Sequence, residues 1–188
     1  MRKISMSISP YLKIAREAIQ CHFDKHTIDK YSILEQYPQM NMNKATFVTL
    51  TLNGHLRGCI GSLIAHRPLI DDLISNAQSA AFHDPRFSPL TLQEFSHINI
   101  EVSILSEPKP ISYSDEADLK SKIHVNEDGV ILKLGNDHQA TFLPQVWEEL
   151  NDFEIFFAHL GMKAGIGSDP LIYHPDIFIY QVEKIKEQ

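Results

Sequence analysis

The sequence predicts an α+β fold of antiparallel strands and packed helices, and three observations predict it. A β-branched, apolar run, Thr46-Phe47-Val48-Thr49-Leu50-Thr51-Leu52, leads into Asn53-Gly54 and a second strand-like run. Asn-Gly is a strong two-residue hairpin turn, because both central residues need positive φ. Later, Ile98, Ile100, Val102 and Ile104 alternate with Asn99, Glu101 and Ser103, the mark of a half-buried strand. Hairpins with interspersed helical patterns indicate α+β rather than a doubly wound parallel sheet.

Taken in order, Ser9-Pro10 opens the first helix, with Ser as N-cap and Pro at the first helical position. Leu12, Ala15, Ala18 and Ile19 recur at helical spacing, and the pattern fades near Phe23-Asp24. Residues 25–43 are polar and irregular and are expected to wrap the surface. The return strand of the hairpin spans His55 to Leu63. A regular hairpin sets Leu52 opposite His55, Leu50 opposite Arg57 and Val48 opposite Cys59. Arg57 and Cys59 then share a face, unless a bulge at Gly58 breaks the register.

Pro68 starts a second helix with an apolar stripe of Ile70, Leu73, Ile74, Ala77 and Ala81. Asp71 and Asp72 suit its positive end, and it stops before Asp84-Pro85. Thr91-Leu92-Gln93-Glu94 forms a capping box. Pro108 and Pro110 break the chain, and a short charged helix covers residues 115–122. Gly129 to Leu134 and Ala140 to Leu143 flank the turn Gly135-Asn136-Asp137. Pro144 opens a further helical stretch. Phe153, Phe156, Phe157 and Leu160 give an apolar face that ends at Gly161 or Gly165, and Ile177 to Val182 is a last strand.

The chain has 188 residues, which suits one domain, or one domain with a small lobe. A net charge of −7 argues against a nucleic-acid protein, whose affinity rests on neutralising phosphates. No apolar run nears the ~20 residues that span a bilayer. Met1 to Ser9 has no apolar core of a secretion signal. Two cysteines, Cys21 and Cys59, are read as reduced thiols of a cytoplasmic protein.

Chemistry centres on Leu56-Arg57-Gly58-Cys59-Ile60-Gly61. A nearby cation makes a thiol more reactive, and Arg57 is two residues from Cys59. Gly58 and Gly61 remove side-chain bulk, and a strand glycine often marks a close approach of ligand or backbone. The plainer account is a small buried cysteine. Asp84-Pro85-Arg86-Phe87 sets both charges on a stiff turn. Arg86 could hold an anion, or simply pair with Asp84. Gln145 and Trp147 could line a pocket, or Trp147 could pack a corner. His22 and His26, four apart, are too few for a metal site without further ligands, and none is assigned. His55 and His83 have no partner assigned by sequence.

Leu56-Arg57-Gly58-Cys59-Ile60-Gly61 resembles the signature of the AMMECR1 family. Phe47-Val48-Thr49-Leu50 lies upstream at the expected distance, and Asp84-Pro85-Arg86-Phe87-Ser88-Pro89-Leu90 resembles the family's second block. Gly129-Val130-Ile131-Leu132 and Thr141-Phe142-Leu143-Pro144-Gln145-Val146-Trp147 resemble its third. The resemblance implies a single AMMECR1 domain over residues 1–188, of the microbial AmmeMemoRadiSam protein A type. It implies a two-layer sandwich-like larger lobe, a smaller second lobe, and the hairpin lining a cleft between them.

No activity follows from the resemblance, and no cofactor. Memo-like and radical-SAM proteins are the partners it suggests, and Arg57, Gly58, Cys59, Gly61, Asp84 and Arg86 the functional patch. Many microbial relatives carry a cysteine where this chain has Gly161, so schemes with two thiols lose support. The expectation is an adaptor or accessory factor that binds a partner protein or small anionic ligand. The alternative is an enzyme using Cys59 as nucleophile or metal ligand, with Arg57 and Arg86 on an anionic substrate.

Overall fold

The computed structural model describes residues 9–187, so the expectation for Met1 to Ile8 lies outside the described residues. The chain divides into two compact units, one of residues 1–105 with 183–188 and one of residues 106–182.

The first unit begins with helix α1, Pro10–Asp24. Ser9 places its carbonyl on the Lys13 N–H, but its side chain makes no cap bond, so Pro10 alone marks the start. Residues 25–43 are more ordered than their polarity predicts. Helix α2, Lys30–Gln36, is capped by the Asp29 carboxylate, which accepts the Ser32 N–H at 3.2 Å. A 3₁₀ turn at Pro38–Asn41 buries Met40 completely. Seven residues hold too few turns for an apolar stripe to show.

Strands β1, Thr46–Leu52, and β2, His55–Gly61, follow, then helix α3, Leu69–Phe82, and the short helix α4, Leu92–Phe95. Asn53 and Gly54 have φ of 52° and 81°, as the turn requires. Thr91 and Glu94 close the expected capping box. Strand β3, Ile98–Leu105, pairs antiparallel with β1. Val48, Leu50, Ile98, Ile100 and Val102 are buried, and α1 and α3 pack on this sheet.

In the second unit, strand β4, Lys109–Ile111, precedes helix α5, Glu116–Lys122. Pro110 is tolerated because β4 is an edge strand. Strands β5, Gly129–Leu134, and β6, His138–Phe142, form the second hairpin. Pro144 opens a 3₁₀ turn, Pro144–Glu148, and helix α6 is Phe153–Lys163. Helix α6 passes through Gly161, where a Cβ would meet the Gly167 carbonyl and the Pro170 ring, and it ends before Gly165 at φ 74°. The expected last strand is two. Strand β7, Asp176–Tyr180, belongs to the sheet β4-β7-β5-β6, and strand β8, Val182–Lys186, completes the sheet β2-β1-β3-β8.

Trp147 is fully buried in the second unit, stacked on Phe156 with centroids 3.5 Å apart. Its Nε1–H donates to the Asp128 carbonyl at 2.9 Å. Packing, not a pocket wall, accounts for it.

Asp72 sits in the first turn of α3, as expected, and its side chain is also completely buried and joins α3 to the sheet. It accepts the Thr46 N–H at 2.8 Å, the Thr46 hydroxyl at 2.7 Å, the Ser62 hydroxyl at 2.7 Å, Arg67 Nε at 2.8 Å and Asn76 Nδ2 at 2.9 Å. Asp72→Ala would strand those donors, and loss of one partner of a buried ion pair costs about 3–5 kcal/mol. Urea unfolding should show a loss of that size, and a loss under about 1 kcal/mol, the worth of one ordinary hydrogen bond, would contradict this role.

Candidate functional site

The β1–β2 hairpin starts in the expected register, Leu52 opposite His55 and Thr51 opposite Leu56. It then shifts, so that Leu50 pairs with Gly58, Thr49 with Cys59 and Phe47 with Gly61. Arg57 is the extra residue of a β-bulge. The expected pairs Leu50–Arg57 and Val48–Cys59 do not form, and the premise that Arg57 and Cys59 share a face falls with them. A bulge increases local twist and re-aims side chains. The sequence cue was Gly58 inside a strand pattern.

Each signature glycine makes room for a part of this chain. A Cβ on Gly58 would run into the carbonyl of Ala80, because α3 lies directly on β2 there. A Cβ on Gly61 would enter the ring of its cross-strand partner Phe47.

Arg57 is anchored from the other side. Its Nε donates to Glu94 Oε1 at 2.9 Å and its Nη2 to Glu94 Oε2 at 3.1 Å and to the Ser88 carbonyl at 3.0 Å. Glu94 also accepts the Thr91 N–H, so the capping box of α4 positions the guanidinium. Glu94 drew notice in the sequence only as a cap. Its tie to Arg57 spans 37 residues, and no local pattern reports it.

The Asp84-Pro85-Arg86 turn follows α3 and meets the edge of β2. The Asp84 side chain is 2% exposed, and its Oδ2 accepts the Cys59 N–H at 2.9 Å. Arg86 Nη2 donates to the Cys59 carbonyl at 3.3 Å and to Asp84 Oδ2 at 2.7 Å, and Arg86 Nε donates to Asp84 Oδ1 at 3.0 Å. The expected Asp84–Arg86 pair forms, and the Arg86 side chain stays 54% exposed. Among the described residues nothing accepts from Nη1 of either arginine. The ring of Phe87 lies 5.8 Å from the Arg57 guanidinium and 5.5 Å from that of Arg86.

Cys59 is a free, half-buried thiol, and Cys21 is free and buried. Sγ of Cys59 lies 3.3 Å from Thr49 Oγ1. Arg57, Gly58, Cys59, Gly61, Asp84 and Arg86 thus assemble within the first unit. Gln145 belongs to the second unit and is exposed on its 3₁₀ turn. His22 stacks on Phe82 at 3.8 Å, while His26, His55 and His83 are exposed. Among the described residues no group of three His, Cys, Asp or Glu is placed to hold a metal ion, and no helix is long and apolar enough to cross a membrane.

The Arg86 guanidinium holds the Asp84 carboxyl well below the usual carboxylate range, against the effect of its burial. The Arg57 guanidinium, aided by the Thr91 N–H, brings Glu94 down to about 2. Groups depressed in the folded state contribute stability above their unfolded pKa and lose it as pH falls through the folded value. Stability should therefore drop between roughly pH 5 and pH 2, the span between ordinary and depressed carboxylate values. Glu94→Gln should flatten that limb in urea titrations, and an unchanged slope would remove Glu94 from the account. Gly58→Ala should cost about 1–3 kcal/mol by overpacking against backbone. Gly61→Ala should cost less, because the Phe47 ring can turn aside. Equal melting temperatures for the two variants would contradict this difference.

Comparison with known proteins agrees with the resemblance of the signature and its companion blocks. The AMMECR1 family model matches residues 12–185. A protein of Methanothermobacter thermautotrophicus is 38% identical over 174 residues, which span 92% of this chain and 88% of that protein. One from Sulfolobus acidocaldarius is 38% identical over 183 residues, 94% of this chain and 76% of its own length. The crystal structure of an uncharacterised protein from Pyrococcus horikoshii superposes with a TM-score of 0.79 at 31% identity, covering 95% of this chain and 90% of that one. With the family model matching residues 12–185, relatives 38% identical over most of the chain and the same fold, this chain belongs to the AMMECR1 family.

Proposed function

We propose that this chain is a binding or adaptor protein that recognises a partner protein through Leu56–Gly61 and the Asp84–Arg86 turn. One observation carries this proposal: both arginines of the patch are already locked onto carboxylates of the chain, Arg57 on Glu94 and Arg86 on Asp84. The patch is rigid and charge-balanced. A free small anion would find no excess positive charge there, only the Nη1 groups. A protein surface can use those donors together with Leu56, which is 45% exposed. Pre-organised arginine is also a frequent anchor of protein interfaces.

A Memo-like protein and a radical-SAM protein, the partners that the family resemblance suggests, are the first to test. A small anionic ligand is the other occupant. The enzyme alternative draws on the free, half-buried thiol of Cys59. A nucleophilic thiol is activated by an adjacent base, by a neighbouring cation or by a metal ion. Among the described residues the hydrogen-bond partner of Sγ is the Thr49 hydroxyl, which is not a base.

The test is titration calorimetry of the purified chain against each candidate partner. Leu56→Asp changes an exposed residue and should leave the melting temperature alone. It should weaken binding at least tenfold, about 1.4 kcal/mol. Cys59→Ala should bind within about twofold of the original chain, a difference of ~0.4 kcal/mol. Undiminished binding by Leu56→Asp would move the surface elsewhere. Loss of binding or of a turnover in Cys59→Ala alone would favour the thiol-based alternative.

A further inference from the structure

Strand β2 is the end strand of its sheet, and end strands carry a row of unpaired backbone groups that can template another strand. The Ser62 N–H donates to the Thr46 carbonyl at 2.8 Å. By the alternation of an antiparallel ladder, Ile60 and Gly58 then turn their backbone groups toward β1, while Cys59 and Gly61 turn theirs outward. At Cys59 both outward groups are taken by side chains. The Asp84 carboxylate stands where the carbonyl of a neighbouring strand would accept, at 2.9 Å. Arg86 Nη2 stands where its N–H would donate, at 3.3 Å. The two side chains are bonded to each other at 2.7 Å and 3.0 Å, so they form one rigid unit. Two residues on, the outward groups of Gly61 meet no side chain among the described residues.

We infer that the Asp84-Pro85-Arg86 turn is an edge lock: its carboxylate and guanidinium imitate one residue of a paired strand, and they keep β2 from pairing with β2 of a second copy. The second copy is the occupant that the strand's own geometry fits. An antiparallel pair with its twofold axis at Cys59 makes each Cys59 the hydrogen-bonded partner of the other. In such a pair the Cα atoms stand about 5.5 Å apart, within the span of a disulfide. The inference goes beyond the proposed binding role and does not depend on it.

The test uses the full chain with Cys21→Ala as background. Asp84→Ala with Arg86→Ala removes both the acceptor and the donor of the lock. Sedimentation velocity over the micromolar to millimolar range should find the locked chain monomeric and the double variant dimeric. Diamide should then link Cys59 to Cys59 of the second copy, taking up the two electrons and two protons that the thiols lose, and should do so only in the unlocked chain. A double variant that melts as a folded protein yet stays monomeric and unlinked would overturn the inference. So would a locked chain that cross-links as readily. Should the double variant not fold, Arg86→Ala alone still decides, since Arg86 is largely exposed. It should dimerise measurably more than the original chain in the same sedimentation series, and a folded Arg86→Ala chain that stays monomeric would overturn the inference.

Discussion

Helix α3 lies against the sheet so closely at Gly58 that the carbonyl of Ala80 fills the place of a side chain, and much of the first unit depends on that contact. A buried aspartate secures the chain near each end of the helix. Asp72, in its first turn, gathers Thr46, Ser62, Arg67 and Asn76, which ties α3 to the start of β1 and the end of β2. Asp84, just past its last turn, holds the backbone of Cys59. With the helix seated and both ends tied, the bulge at Arg57 and the outward aim of Cys59 have little freedom left.

The same arrangement explains why the patch is quiet electrostatically. Two arginines suggest a positive cavity, yet each is the counter-ion of a carboxylate that the fold also needs. Glu94 caps α4 and orients Arg57; Asp84 satisfies Cys59 and orients Arg86. Charge is spent on positioning. What the patch still offers is a fixed set of N–H donors at the two Nη1 atoms, an exposed Leu56 and a thiol beside Thr49. These are the features that the proposed binding role would use.

In the second unit the buried Trp147–Phe156 stack and the passage of α6 through Gly161 show similar economy. Where many microbial relatives are expected to carry a cysteine, the space beside Gly161 is taken by the Gly167 carbonyl and the Pro170 ring. A second thiol has no room there without movement of backbone.

The sequence by itself determined the elements whose signals are local. The Asn53-Gly54 turn, the alternation of β3, the capping box at Thr91 and the end of α3 before Asp84-Pro85 all depend on φ preferences or on neighbours within four residues. The signature, with its companion blocks, also marked the family and the residues that assemble in the first unit. Only the tertiary structure decided what those residues do there. A bulge shifts β2 by one residue, and one residue exchanges the faces of a strand, so the pairing of Arg57 with Cys59 gave way to pairs with Glu94 and Thr49. The burial of Asp72, the split of the last strand into β7 and β8, and the clasp on Cys59 join positions 25 or more apart or belong to different sheets. Such bonds depend on where the backbone returns in space, and spacing along the chain carries no record of it.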